Sequence, residues 1–271
     1  MSTAPPEELE ETEVLVPASP EEAIAAFGDG SGVTVLGGGT ILMPEIAAGR
    51  VKPEKAIMLG RAGLDEMTEE GGVTRIGAAV PVAALAGAPE PLGSAARRIG
   101  DYEVRAQATL GGNICAGPGR GFPRGDLQAP LIALDAYVRS AGSGGERTEP
   151  IERFLVADHG PRLVVEVEFE ARDRRGAWAA IERPHTHSYT ALAVAATCTA
   201  NGSDLRVACS GAGPHALRLR SVEQGGLGAR PGDALGDVEL ADDALASAWY
   251  RERMLPLLVA RVLARLREAI E

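Results

Sequence analysis

Val33-Thr34-Val35-Leu36-Gly37-Gly38-Gly39-Thr40 and Ala108-Thr109-Leu110-Gly111-Gly112-Asn113 are two short runs built alike. Each passes from apolar residues through glycines to a small hydroxyl or amide residue. With no Cβ in the way, backbone N–H groups in such turns approach an anion closely. Two of them in one chain suggest a ligand with two phosphates, or a long ligand gripped at both ends. Neither run is a P-loop, because no Gly-Lys-Ser/Thr follows, and Gly-x-Gly-x-x-Gly spacing is absent. Taken singly, each run reads equally well as an ordinary tight turn.

Working outward, Ser19-Pro20-Glu21-Glu22 predicts a helix start, with Ser19 as N-cap and Glu22 closing a capping box. Val33 to Leu36 predicts a buried strand, and a helical turn follows through Ile41 to Ala48. Strands are expected over 56–59 and 73–80 with a turn at 69–72, and helices over 82–86 and 92–99. Residues 108–126 read as irregular, 127–134 as a short helix or buried strand, and 137–151 as a hairpin. Leu163 to Ala171 alternates apolar residues with Glu, the period of a half-buried strand. Strands at 178–181, 188–199 and 205–210 follow, with Asn201-Gly202 as a hairpin turn. Ala241 to Ile270 predicts a long helix that Pro256 kinks or breaks. Residues 1–13 form a disordered acidic tail in this reading, 14–160 a first α+β domain, and 161–271 a smaller domain.

The chain has 271 residues, 45% hydrophobic and only 4% aromatic, with a formal net charge of -11. A core of useful size is affordable, while stacking platforms and a basic nucleic-acid face are disfavoured. No run of eighteen apolar residues exists and the N-terminus lacks a signal-peptide pattern, so a cytoplasmic location without a membrane span is expected. Cys115, Cys198 and Cys209 have no CxxC spacing and are too few for a four-cysteine cluster, so no iron–sulfur centre or other metal site is expected here.

The chain resembles the FAD-binding medium subunit of the molybdenum hydroxylases, the group of carbon monoxide dehydrogenase and xanthine dehydrogenase. Both glycine runs carry the resemblance, with Ile99-Gly100-Asp101-Tyr102-Glu103-Val104-Arg105, Asp126-Leu127, Pro130 to Ala136, Ser210 to Pro214 and Tyr250-Arg251. It covers residues 14 to 270. It implies an α+β architecture: a vanillyl-alcohol-oxidase-like FAD domain followed by a small antiparallel sheet with helices. By the same resemblance Leu36, Gly37, Gly38, Gly39, Thr40 and Ile41 wrap the FAD pyrophosphate. Thr109, Gly111, Gly112 and Asn113 form a second clamp, Asp126 accepts from ribityl or ribose hydroxyls, and Val164 touches the apolar edge of FAD. Core packing is the plainer role for Val164.

Two segments depart from the family pattern. The 114–125 loop is enlarged and brings Arg120 and Arg124, whose plain reading is solvated charge. The 182–187 segment places Arg183 where the family has its cation near the cofactor, followed by His185 and His187, a pair with no third metal ligand. Cys115 reads as a small buried thiol. The resemblance implies a partner large subunit with a molybdenum cofactor and a partner small subunit with iron–sulfur clusters. FAD then passes electrons to an external acceptor, and no catalytic base or nucleophile is expected in this chain. Two other readings stand beside it: a self-sufficient flavin oxidase, and a flavin-free assembly module.

Overall fold

The computed structural model describes residues 12–117, 124–158, 160–182 and 190–271. It opens with β1 (Glu13–Leu15), α1 (Pro20–Phe27), β2 (Val33–Leu36), α2 (Leu42–Ala47) and β3 (Lys55–Met58), whose strands form a parallel sheet in the order β1-β3-β2. Ser19 caps α1 by accepting from the Glu22 N–H at 3.2 Å. The Glu22 carboxylate reaches past the cap to the Ala18 N–H at 2.8 Å, so the reciprocal bond forms one residue earlier than the box predicts. Glu13 belongs to β1, pairing with Lys55, and so stands outside the predicted tail.

Next come β4 (Met67–Glu70), β5 (Val73–Gly77), α3 (Leu92–Ala96), α4 (Tyr102–Gln107), α5 (Leu110–Ile114), α6 (Gln128–Ala133), β6 (Tyr137–Gly142), β7 (Arg147–Pro150), α7 (Ile151–Val156) and β8 (Arg162–Glu170). The strands make an antiparallel sheet in the order β4-β5-β8-β6-β7. Glu69 and Glu70, expected in a turn, lie in β4. An edge strand with every side chain exposed accommodates charge, and backbone pairing to β5 decides the conformation. β8 is the middle strand of this sheet. Sheet pairing therefore carries the first unit past the residue 160 boundary expected from sequence, to Glu170.

The remaining elements are β9 (Arg174–Glu182), β10 (Thr190–Thr199), β11 (Arg206–Ser210), β12 (Leu217–Arg218), α8 (Arg220–Gln224) and α9 (Ala248–Ile270). β9 to β12 form an antiparallel sheet in the order β12-β11-β10-β9. Leu192, Val194 and Ala196 pack with Leu255, Leu258, Val259 and Val262 of α9, while Ala193 and Ala195 join the core of the first unit. That is the period-two division of a sheet covered on both faces. The Thr197 hydroxyl, fully buried, donates to the Ala133 carbonyl at 2.6 Å and pins the sheet to the end of α6. α9 starts at Ala248, later than the expected Ala241, because Ser247 caps it by accepting from the Tyr250 N–H. The helix continues through Pro256.

Candidate functional site

The chain between β2 and α2, the segments leading into α4 and α5, and the start of β8 enclose a cleft of about 370 Å³. Gly37, Gly38, Gly39, Thr40 and Ile41 line one stretch of its wall, and Thr109, Gly111, Gly112 and Asn113 an adjoining one, with Asp126 and Val164 also at the surface of the cleft. Leu36 is buried at the end of β2 and is not among these lining residues. Arg183, like Arg120, His185 and His187, lies outside the described residues.

The two glycine runs touch. A Cβ on Gly37 would lie 2.5 Å from Thr109 Oγ1, and one on Gly38 would lie 1.7 Å from the Gln107 carbonyl oxygen. One on Gly111 would lie 2.9 Å from Ala78 Cβ. These glycines permit backbone to pack on backbone, so the runs form one continuous wall. Gly39 has φ 70, the left-handed region that favours glycine.

The walls differ in what they offer a ligand. In the first run the backbone N–H groups of Gly38 to Ile41 have no hydrogen-bond acceptor among the described residues. The second run is not irregular, as expected, but a short helix. Thr109 caps it, accepting from the Gly112 N–H at 3.2 Å. Leu110 N–H donates to the Val80 carbonyl at 3.0 Å and Gly111 N–H to the Ala78 carbonyl at 2.8 Å, while Asn113 N–H donates to the Thr109 carbonyl at 2.9 Å. Its N–H groups are thus engaged inside the chain. The N–H groups without an acceptor among the described residues sit in the first run, so two runs built alike in sequence differ in the donors they leave open.

Asn113 Oδ1 accepts from the Leu127 N–H at 2.9 Å, tying the second wall to buried Asp126 next door. Gln128 reinforces this from below, donating to the carbonyls of Ile114 and Ala116 at 2.7 and 2.9 Å. Val164 is buried in the main core and lines the cleft as well. Arg124, read as solvated loop charge, is instead paired with Asp243 from the segment before α9. Asp243 also accepts from Arg251, at 2.6 Å, and from the N–H groups of Leu245 and Ala246. Burial alone would raise the Asp243 carboxyl. The Arg251 hydrogen bond, the two amides and the Arg124 charge outweigh it and hold the group down at about 2.

Sequence reasoning missed several lining groups: Ala78, the Ile99-Gly100 bend, Val104 and the Pro161-Arg162-Leu163 approach to Val164. Gly100, at φ 51, carried a signal as a lone glycine between helices. Arg162 carried none. It is buried and donates to Ser140 Oγ and to the carbonyls of Ser140, Ser143 and Gly145, bracing β8 against the turn after β6. Burial, then the nearby charge of Arg147, lowers its pKa from the usual guanidinium range. Cys115, expected buried, is exposed at the cleft.

A cleft with one backbone wall rich in available N–H donors, apolar stretches at Val33, Val35, Leu163 and Val164, and one buried carboxylate suits a ligand part anionic, part apolar and part polyol. The sequence pattern of the family described as FAD binding domain in molybdopterin dehydrogenase matches residues 10–168. This chain belongs to that family. The carbon monoxide dehydrogenase medium chain of Hydrogenophaga pseudoflava is 29% identical over 93% of this chain and 95% of its own length. The alpha subunit of the 6-hydroxypseudooxynicotine dehydrogenase complex of Paenarthrobacter nicotinovorans is 25% identical over 93% of each. In solved structures, a chain of the Hydrogenophaga pseudoflava carbon monoxide dehydrogenase superposes with a TM-score of 0.83 at 28% identity, covering 96% of this chain and 98% of that one. Quinoline 2-oxidoreductase from Pseudomonas putida 86 shares the fold, with a TM-score of 0.82 at 20% identity over 98% of this chain and 100% of that one. The chain is an FAD-binding medium subunit of the molybdenum hydroxylase family and an oxidoreductase component. Its cofactor is FAD, and the open N–H donors, apolar stretches and buried carboxylate of the cleft fit that group chemically. Among the described residues, no helix is long and apolar enough to cross a membrane.

Proposed function

We propose that this chain carries electrons in a molybdenum hydroxylase complex, from iron–sulfur clusters in a partner subunit, through FAD, to an external acceptor. A separate large subunit with the molybdenum cofactor oxidises the substrate in this reading. The observation that carries it is the cleft itself: two glycine runs in backbone contact, one with its N–H groups available. The N–H groups of Gly38 to Ile41 hold the pyrophosphate, and Thr109, Gly111, Gly112 and Asn113 supply the close wall behind it. Asp126 accepts from ribityl or ribose hydroxyls, Val164 meets the apolar edge, and Arg183 supplies the cation near the cofactor. FAD, when bound, supplies the redox chemistry, and the protein binds, orients and tunes it.

The absorbance spectrum of the purified chain is the first test, with oxidised-flavin bands expected. A folded, colourless protein that takes up no added FAD overturns the reading in favour of an assembly module. Co-expression with the molybdenum and iron–sulfur subunits is the second. Acceptor reduction is expected from the assembled complex, and substrate turnover by the isolated chain overturns electron carriage in favour of an oxidase.

A further inference from the structure

Arg124 lines the FAD cleft, and its guanidinium pairs with Asp243, 119 positions further along the chain in the segment before α9. Asp243 and Arg251 are not among the lining residues. The Asp243 carboxylate is held firmly from its own unit. Oδ1 accepts from the N–H groups of Leu245 at 2.8 Å and Ala246 at 3.1 Å, and Oδ2 accepts from Arg251 at 2.6 Å. Arg251 is 1% exposed and spends its other donors on backbone: the carbonyls of Ala241 at 2.6 Å, Ala246 at 2.8 Å and Ala191 in β10 at 3.4 Å. The anchor that Arg124 meets is therefore rooted in α9 and in the second sheet.

On the cleft side, residues 124–127 form a short strap fastened at both ends. Asn113 Oδ1, in the second glycine run, accepts from the Leu127 N–H at 2.9 Å, and Asp243 holds Arg124. Gly125 lets the strap pack on the second run: a Cβ there would lie 2.4 Å from the Asn113 carbonyl oxygen and 2.6 Å from Gln128 Nε2. Asp126, the buried carboxylate at the surface of the cleft, sits inside the strap. Releasing the Arg124 end would leave the backbone of that carboxylate tethered on one side. A residue can strengthen binding in this way without touching the ligand, by narrowing the conformations from which the ligand must select.

We propose that Asp243 and Arg251 are positioning residues of the FAD site, acting from the second unit through Arg124 to hold residues 124–126 in the conformation that binds the cofactor. A largely desolvated ion pair contributes little net stability, because desolvation offsets the attraction, and what this one fixes is the place of the strap. Coupling of this kind is reciprocal: what the anchor contributes to FAD binding, FAD returns as order in the anchor. The N–H groups of Leu245 and Ala246, which end on Asp243, report that order. The inference rests on the reading of the cleft as the FAD site.

Asp243→Asn would strand the buried Arg251 charge, so the decisive variant is Arg124→Gln, which leaves Asp243 paired with Arg251. The full-length wild-type chain and R124Q are compared by FAD titration of the flavin-free protein, by melting temperature without FAD, and by amide hydrogen exchange with and without FAD. In the wild type, FAD is expected to slow exchange at Gly38 to Ile41 in the cleft and also at Leu245 and Ala246 outside it. R124Q is expected to bind FAD about tenfold more weakly, to lose the slowing at Leu245 and Ala246, and to melt like the wild type without FAD. Wild-type FAD affinity in R124Q makes the pair a plain structural contact and overturns the proposal. Slowing at Leu245 and Ala246 that is absent in the wild type, or that persists in R124Q, also overturns it, because Arg124 then acts on FAD directly or the coupling runs by another route. Bound FAD that leaves Gly38 to Ile41 unprotected overturns the cleft assignment together with the proposal, whereas protection there without slowing at Leu245 and Ala246 overturns the proposal alone.

Discussion

Gly38 occupies a position where no side chain fits, because the space a Cβ would take is filled by the Gln107 carbonyl. Gly38→Ala must separate the two glycine runs, and backbone cannot rotate aside as a side chain can. We expect a loss of about 3 kcal/mol in urea unfolding, the upper end of ordinary overpacking costs, together with loss of bound FAD. Thr109→Val removes the cap on α5 and should cost about 1 kcal/mol, with Thr109→Ser restoring most of it. The cysteines separate by environment. Burial, reinforced by the Asp237 charge, pushes the Cys209 thiol up to about 12, and burial also raises Cys198 against the opposing charges of Arg174 and Arg175. Only exposed Cys115 should react promptly with a thiol reagent at pH 8, and more slowly once FAD covers the cleft it lines. Two prompt thiols in the folded chain would contradict this burial pattern.

Between elements, Asp243 joins the cleft to the last helix. It pairs with Arg124 at the cleft and with Arg251, which is fully buried in α9 and also donates to the carbonyls of Ala241 and Ala246. The folded-state pKa of Asp243 lies below its unfolded value. Its stabilising contribution is therefore present above about pH 4 and lost as the pH falls toward 2. Asp243→Asn should lower the urea midpoint at pH 7 and flatten the acid limb of the stability profile, most visibly between pH 4 and 2. An acid limb identical to the wild type would show that other carboxylates carry it. Sequence alone read Arg124 as solvated charge because its partner stands 119 positions away. Local patterns report neighbours within a helix turn or a strand pair, and a pairing at that separation leaves no trace in them. α5 escaped for a different reason: glycine is a poor helix former, and the cap and tertiary packing override that preference.

At the scale of the whole molecule, the main core crosses the domain division. Trp178, Ala193, Ala195, Ala208 and Ala216 of the second unit share one cluster with Leu92, Leu131, Ile132 and Val167 of the first. β8 lies at the centre of the first unit's sheet while leading directly into the second. The two units should therefore unfold together. Thermal melts followed by far-ultraviolet circular dichroism and by flavin absorbance are expected to coincide, whereas two separated transitions would mean independent domains. FAD binding to the folded state alone adds about 2.7 kcal/mol at a hundredfold excess over Kd, worth a rise of roughly 5–10 °C in Tm for a chain of this size. The rise should grow with FAD concentration.

Sequence by itself determined the α+β class, the cap of α1, the strand that runs into Gly37, the hairpin at Asn201-Gly202 and the long terminal helix. Each follows from periodicity, capping or turn chemistry within a few residues. It also identified the two glycine runs, through both their composition and a family resemblance. Tertiary structure alone decided that the runs touch, that their glycines serve that contact, and that only the first keeps its N–H groups available. The reason is physical: glycine in a sequence states that a Cβ is absent, and only the packed molecule states what occupies the space where it would have been.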